Sequence, residues 1–308
     1  MAGGHAVRPF LCVYGHTNVD HLLALRELPE RNTSANVLSK RSFFGGTGAN
    51  MATMASALGV PTALVSYVGR DMPPEFRGLM EAKGVVLDEL VEVEGQETPT
   101  VWIATDERED QVALIFQGAM ADMASYPLRT KGAEEALAVH LMTGSPDYYL
   151  RLLSQPCLLR KRRALDPAQE IHHVWDAPRF VKALGSVDML FCNRNELATA
   201  LRYTGRGGPE ELLADVPVIV STRGVEGVRI FTRDETLDVP AYRVRVVDPT
   251  GAGDAFRAGF YAGLYHGKGW AECGALGCAA ASFVVASPGS LTSIPDWGMV
   301  EERARALM

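Results

Sequence analysis

The run Asp248-Pro249-Thr250-Gly251-Ala252-Gly253-Asp254-Ala255-Phe256 brings together the residue types that phosphate chemistry needs. It follows the β-branched stretch Val244–Val247, which reads as a strand. It precedes apolar or small residues at 252, 255, 256, 259, 260, 263 and 264, the spacing of one helix face. The glycines thus fall where a strand turns into a helix. Successive N–H groups point outward at such a turn, with the positive end of the helix dipole behind them, a place for phosphate or developing negative charge. Glycine is required there because a side chain would block close approach. Asp254 lies in the first helical turn. A carboxylate there either steadies the helix N-terminus or acts as a general base on a substrate hydroxyl beside the anion hole. The residue types alone leave both readings open.

A second glycine-rich turn, Phe43-Phe44-Gly45-Gly46-Thr47-Gly48-Ala49-Asn50, also opens a helical pattern. It reads either as a packed turn or as a dinucleotide loop. The pattern Gly-x-Gly-x-x-Gly/Ala fails at Met51, although Asp71 stands at the distance of a ribose-binding acid. The same test on residues 251–256 fails at Phe256, and the chain has no Gly-x-x-x-x-Gly-Lys-Ser/Thr loop. His172-His173 and the Cys273, Cys278 pair lack the further ligands of a metal site and read as solvated and packed residues. Phe43, Phe44, Trp102 and Phe116 are candidates for stacking on a base, or simply core aromatics.

The elements that position these residues are short apolar runs at Phe10–Tyr14, Thr62–Val68, Leu137–Met142, Arg163–Leu165, Asp188–Phe191 and Val218–Ser221. They are apolar on both faces, as buried parallel strands are. Helical patterns such as Asn50–Leu58, closed by Gly59, lie between several of them, and this alternation predicts an α/β domain with a parallel sheet. Two regions break the rhythm. One is Leu23–Phe44. The other, Thr98–Gln117, reads as a hairpin of Thr100–Thr105 and Gln111–Phe116 around the charged turn Asp106–Asp110, and the two together predict a separate small β-layer. A further hairpin is predicted from Val225–Thr232 and Leu237–Val247.

Composition sets the outer bounds. The 308 residues are 47% hydrophobic and 22% charged, which excludes a disordered chain and allows a core built by burial alone. Lys+Arg number 30 against 37 Asp+Glu, a net charge of −7, so a general nucleic-acid or anionic-membrane binder is not expected. The single basic run, Arg160-Lys161-Arg162-Arg163, reads as a solvated connection. There is no apolar run long enough to span a bilayer, and Met1–Pro9 lacks a leader's layout. The five cysteines, an odd number mostly within apolar runs, suit a reducing cytoplasmic setting.

Taken in order along the chain, the motifs resemble those of the ribokinase-like (PfkB-type) carbohydrate and nucleoside kinases. Gly15-His16-Thr17-Asn18-Val19-Asp20 is similar to the family's opening Gly-x-x-x-x-Asp, and Gly45-Gly46 with Asn50 to its first signature. Val68-Gly69-Arg70-Asp71, Asn193-Arg194-Asn195-Glu196 and Thr222-Arg223-Gly224-Val225-Glu226-Gly227 resemble Val-Gly-x-Asp, Asn-x-x-Glu and Thr-x-Gly-x-x-Gly. The late Asp-x-Thr-Gly-Ala-Gly-Asp resembles its second signature. The likeness covers nearly the whole chain and implies one domain over residues 1–308: a three-layer α/β/α sandwich with a mostly parallel central sheet and a small β-sheet lid, its segments near 21–44 and 98–118.

The resemblance also implies roles. Asp254 would be the base, and the backbone of Gly251, Ala252 and Gly253 the anion hole. Asn18, Asp20, Gly45, Gly46 and Asn50 would contact the hydroxyls of a nucleoside or sugar. Asn193 and Glu196 would serve ATP and its Mg²⁺ through water, and Thr222, Gly224 and Gly227 the nucleotide. Asp248 and Ser287–Ser293 lie where some members hold a monovalent cation such as K⁺. Phosphoryl transfer depends on positioning and charge neutralisation, which this arrangement would supply. Asn193 and Glu196 also have capping-box spacing, which needs no ligand. Pro249 replaces the Thr common at that point, and Thr47 stands where sugar-specific members often carry Lys. Pro29–Ser34 and Asp166-Pro167-Ala168-Gln169-Glu170 resemble an archaeal nucleoside kinase branch. The alternatives are a sugar kinase of the ribose, fructose or 2-keto-3-deoxygluconate type, an NAD-binding oxidoreductase and a non-catalytic sensor. Exposed lid edges would suit a homodimer.

Overall fold

The computed structural model describes residues 8–308. Residues 1–7, most of the stretch read for a leader, lie outside the described residues. Strands β1 (Leu11–Tyr14), β4 (Thr62–Val68), β5 (Val86–Glu92), β8 (Ala138–Leu141), β9 (Arg162–Leu165), β10 (Met189–Asn193), β11 (Val218–Thr222), β12 (Val228–Thr232) and β13 (Thr236–Val239) build one sheet. Its order is β13-β12-β11-β10-β9-β8-β1-β4-β5, parallel from β11 through β5 and antiparallel only at the β12 and β13 edge. Along β1, Leu11 and Val13 enter one core while Cys12 and Tyr14 enter the other, the period-two alternation of a sheet covered on both faces. The first core takes the helices Thr47–Ala57, Ala252–Tyr265 and Trp270–Val284; the second takes Pro146–Leu153, Ala177–Leu184 and Arg194–Thr204. The three-layer α/β/α expectation holds.

A second sheet, of order β3-β2-β6-β7, is formed by β2 (Asn18–Leu25), β3 (Val37–Gly45), β6 (Thr100–Thr105) and β7 (Gln111–Phe116). It contains the predicted hairpin in register, Thr100 opposite Phe116 and Thr105 opposite Gln111. β2 falls partly outside the predicted 21–44 window, because the strand begins at Asn18.

Four expectations are corrected. Val244–Val247 is not a strand. β13 stops at Val239, before Pro240, and residues 240–251 run irregularly, with Val247 and Asp248 donating to the Val285 carbonyl. A β-branched run becomes a strand only beside a partner edge, and this one meets a helix end instead. The last hairpin is shorter at both ends, since Gly224–Glu226 forms a 3₁₀ turn. The first-loop helix begins at Thr47, not Asn50. The basic run is not a free connection. Lys161 Nζ donates to the carbonyls of Glu134 and Ala136, both at 2.6 Å, and Arg163 pairs with Asp188.

The helix that carries Asp254 packs very closely on its neighbour. A Cβ on Gly277 would lie 2.6 Å from the Phe256 ring, and one on Gly259 would overlap the Leu276 carbonyl. Small residues thus let these helices approach and hold the start of Ala252–Tyr265 in place.

Candidate active site

The site lies at the carboxyl ends of the parallel strands, where β1 sends the chain one way to β4 and the other way to β8. Open α/β sheets leave a crevice at such a switch point. His16, after β1, meets Thr143, after β8, at 2.8 Å. Asp166 follows β9, Asn193 ends β10 and Thr222 ends β11.

Gly251 caps the helix Ala252–Tyr265 with φ 77°, and no side chain caps the first turn. A Cβ at 251 would collide with Ser290, so the left-handed turn and the close approach both require glycine. The Ala252 amide donates to the Pro249 carbonyl at 3.2 Å, and no side chain caps the amides that follow it. Asp254 is buried and does not bond back to its own helix; its Oδ2 accepts from Asn50 Nδ2 at 2.8 Å. Asn50 Oδ1 in turn accepts from Ser290 Oγ at 2.9 Å, which holds the amide between the carboxylate and the hydroxyl. Burial pushes the Asp254 carboxyl up to about 7. Arg257 and the Asn50 hydrogen bond oppose that rise, and the charges of Asp166 and Asp20 add to it. A carboxyl titrating there can accept a proton near neutral pH.

A cavity of about 630 Å³ opens beside Asp254. Of the residues singled out from the sequence, it is lined by Asn18, Asp20, Gly46, Asn50, Asn193, Glu196, Thr222, Gly224, Gly251, Gly253 and Asp254. Gly45 lies behind: a Cβ there would overlap the Asp20 carboxylate, and one on Gly46 would overlap the His16 carbonyl. Asn18 Nδ2 donates to Asp20, and burial raises the Asp20 carboxyl to about 7, against that hydrogen bond and with help from Asp248. The small sheet supplies an aliphatic wall of Val101, Ile103, Ala113 and Ile115, with Phe116 beside it. Of the four aromatics considered for stacking, only Phe116 reaches the cavity. Phe44 stacks on Phe76 at 4.6 Å, Phe43 packs against Gly289, and Trp102 lies near His21. Within the same cavity, His16 is held between Thr143 and Gln117, the latter at 2.6 Å, and Glu170 accepts from the Gly144 amide at 2.6 Å. His173 also lines the cavity; its neighbour His172 bonds Thr199.

A second, more apolar cavity of about 1000 Å³ runs along the other side of the turn. Its lining includes Gly227, Tyr242, Val246, Ala252, Phe256 and Val285. Gly227 has φ 95° and no room for a Cβ beside the Val239 carbonyl. Thr222, Gly224 and Gly253 line both cavities.

Four residues that the sequence offered as ligand contacts also make internal ones. Asn193 and Glu196 form a complete capping box: Glu196 accepts from the Asn193 amide and from Asn193 Nδ2, both at 2.7 Å. Each Glu196 oxygen keeps a lone pair, which leaves room for a contact to Mg²⁺ through water. Asp248 accepts from the amides of Thr250 and Gly289, both at 2.9 Å, and so clasps the two loops together. Asp71 is engaged with Thr98, at 2.8 Å from both its amide and its hydroxyl, far from the role a dinucleotide site would need.

Sequence reasoning missed Arg257 and its partner Asp166, and the support of Asn50 by Ser290. The signal for Arg257 was present, a lone cation in an apolar helix one turn after Asp254.

A mostly parallel sheet between helix layers, a small sheet over its carboxyl edge, and paired cavities meeting at a bare helix N-terminus define a ribokinase-like phosphotransferase fold. The pfkB family carbohydrate kinase pattern matches residues 8–297, and the chain belongs to that family; it is a kinase of the nucleoside and sugar type. A nucleoside kinase of Methanothermobacter thermautotrophicus is 34% identical over 307 residues, 96% of each chain. That of Methanocaldococcus jannaschii is 30% identical, and its crystal structure superimposes with a TM-score of 0.90 over 97% of this chain and 99% of that one. The kinase assignment sets aside the NAD-binding oxidoreductase. No helix among the described residues is long and apolar enough to cross a membrane.

Proposed function

We propose that this kinase moves the γ-phosphoryl group of ATP to the primary hydroxyl of a nucleoside, with Asp254 as general base. The observation that carries the reading is the meeting of two cavities at Gly253, with the carboxyl of Asp254 on the side of the smaller one. The larger apolar cavity suits an adenine nucleotide whose phosphates reach the Gly251–Gly253 turn. The smaller cavity pairs Asn18 and Asp20, suited to ribose hydroxyls, with an aliphatic wall. A nucleobase offers Val101, Ile103, Ala113 and Ile115 a larger and flatter apolar face to cover than a free sugar does. The names of the relatives in Methanothermobacter and Methanocaldococcus agree with a nucleoside acceptor.

In the reaction the acceptor hydroxyl gives its proton to Asp254 as its oxygen bonds the γ-phosphorus, and the bond to the β-phosphate oxygen breaks with its electron pair leaving on ADP. Asn50 aims the carboxylate. The first-turn amides that no side chain caps stabilise charge on the phosphoryl oxygens. Mg²⁺ on the triphosphate would neutralise its charge, with Glu196 in reach through water. Closure of the small sheet would exclude water from the reacting centre.

The test is a panel of purine and pyrimidine nucleosides, ribose, fructose and 2-keto-3-deoxygluconate, assayed with Mg-ATP. Preference for nucleosides by at least tenfold in kcat/KM is expected; preference for a free sugar refutes the acceptor assignment. Asp254→Asn should lower kcat by several orders of magnitude with nucleotide binding retained, and near-normal turnover refutes the base assignment.

A further inference from the structure

Arg257 is the only arginine or lysine lining the acceptor cavity among the described residues. It follows Asp254 by one turn of the same helix and is 5% exposed. Its Nε and Nη2 both donate to the Asp166 carboxylate, the latter at 2.8 Å. Asp166 is fully buried and also meets His140 Nε2 at 3.3 Å, while His140 Nδ1 lies 3.0 Å from the Tyr261 hydroxyl. The guanidinium plane is thereby held by one edge. The remaining nitrogen, Nη1, has no hydrogen-bond partner among the described residues. It lies against the anion-binding turn: a Cβ built on Gly253 would be 2.5 Å from it. Nη1 opens onto the cavity, and a permanent cation there, beside a helix N-terminus that no side chain caps, points to an anionic ligand.

The surroundings strengthen the case. Asp254 on the same helix, Asp20 on β2, Asp166 after β9 and Glu196 on the helix Arg194–Thr204 all face this region, with Glu170 and the two histidines His16 and His173 further along the cavity. A phosphoryl group passing through so many carboxylates meets one permanent cation from the protein. A buried ion pair is weak evidence of a purely stabilising role.

We propose that Arg257 is a catalytic residue whose Nη1 donates to a non-bridging oxygen of the phosphoryl group in transit, while Asp166 serves as its positioning residue. The inference rests on the phosphotransfer reading above. The bonds exchanged are the same: acceptor oxygen to γ-phosphorus forms, the bridging bond to ADP breaks, and the proton goes to Asp254. Arg257 transfers nothing and stabilises charge spread over the equatorial oxygens, as fixed donors do in phosphoryl transfer.

The experiment compares Asp166→Asn with the double variant Asp166→Asn/Arg257→Gln, which leaves no buried carboxylate unpaired, and adds Arg257→Lys. Steady-state kcat and acceptor KM are measured from pH 5 to 9.5, with and without guanidinium ion, beside thermal unfolding. The double variant should lose about 100-fold or more in kcat on the alkaline plateau relative to Asp166→Asn, an amount typical of one lost transition-state donor. Acceptor KM should stay within a few-fold, and guanidinium should restore part of the rate. Arg257→Lys should also lose kcat, because an ammonium that reaches Asp166 cannot also reach the Gly253 turn. The proposal is overturned if the loss is confined to the acid limb and the plateau recovers, since Arg257 would then act only on the charge state of Asp254. It is overturned equally if Arg257→Lys keeps full kcat. Should the wild-type protein phosphorylate no acceptor on the panel, the phosphotransfer reading itself fails, a result distinct from either.

Discussion

Replacing Asn50 by leucine removes one hydrogen bond from a carboxylate while keeping the side chain's heavy-atom count and branching. Asn50 Nδ2 donates to Asp254 Oδ2 at 2.8 Å, and the amide's other end is tied to Ser290. A hydrogen bond to a charged group is worth about 1.5–3 kcal/mol, and one pKa unit is about 1.4 kcal/mol. The Asp254 carboxyl, already at about 7, should therefore rise by roughly one to two units. If Asp254 must be ionised to take the acceptor proton, its working fraction at pH 7 falls from about half to between about 1 and 10%. The assay is kcat against pH under saturating Mg-ATP and nucleoside. The expected result is a loss of about 5- to 50-fold at pH 7 that recovers above pH 9, with the acid limb displaced to higher pH. Ser290 keeps a second acceptor in the Phe44 carbonyl at 3.2 Å, so the fold should survive. A pH-independent loss of kcat with an unmoved acid limb would refute the reasoning, because Asn50 would then act on the substrate and not through Asp254.

Three further outcomes follow from the same geometry. Burial raises the Asp254 carboxyl above its ordinary 3.8, so the native state binds that proton more tightly than the unfolded one. The resulting cost is absent below the unfolded pKa, grows as pH rises and is fully present above the native pKa, with a ceiling of about 4 kcal/mol. Asp254→Asn should thus raise the Tm of the ligand-free protein at pH 8.5 and leave it nearly unchanged at pH 4; equal shifts at both pH values would contradict the linkage. Gly45→Ala places a methyl group against the Asp20 carboxylate, and isothermal titration should show weaker nucleoside binding with ATP affinity retained. Ile103→Ala together with Ile115→Ala strips the aliphatic wall. At about 1–2 kcal/mol for each side chain left uncovered, nucleoside KM should rise by tenfold or more, whereas an unchanged KM would remove the base from that wall.

Much of the frame was legible because burial on both faces writes a continuous apolar run. β1, β4 and β8 lie within such runs, and β10 and β11 begin in them and run one or two residues further, to Asn193 and Thr222. The turn into the helix Ala252–Tyr265 was legible for a different reason: only glycine tolerates φ 77° at 251 beside Ser290, so the constraint left its mark on residue type. β2 escaped because its burial pattern is mixed, with His21 and three neighbours only half-buried. Val244–Val247 misled because β-branching reports a preference, and no strand edge lies there to satisfy it. Asn193 and Glu196 carried two meanings at one spacing, and the coordinates make the capping box explicit.

What the amino-acid order determined by itself is local: which runs can form strands or helices, and where glycine is obligatory. Those outcomes depend on neighbours within a few residues, through period, dihedral freedom and capping. What only the tertiary structure decided is which distant groups share the site. Asn50 and Asp254 are 204 residues apart and bonded, and Arg257 meets Asp166 across 91. The pKa of Asp254 and the direction of the free guanidinium nitrogen follow from burial and charge gathered from several strand ends, and such quantities exist only once the chain has closed around them.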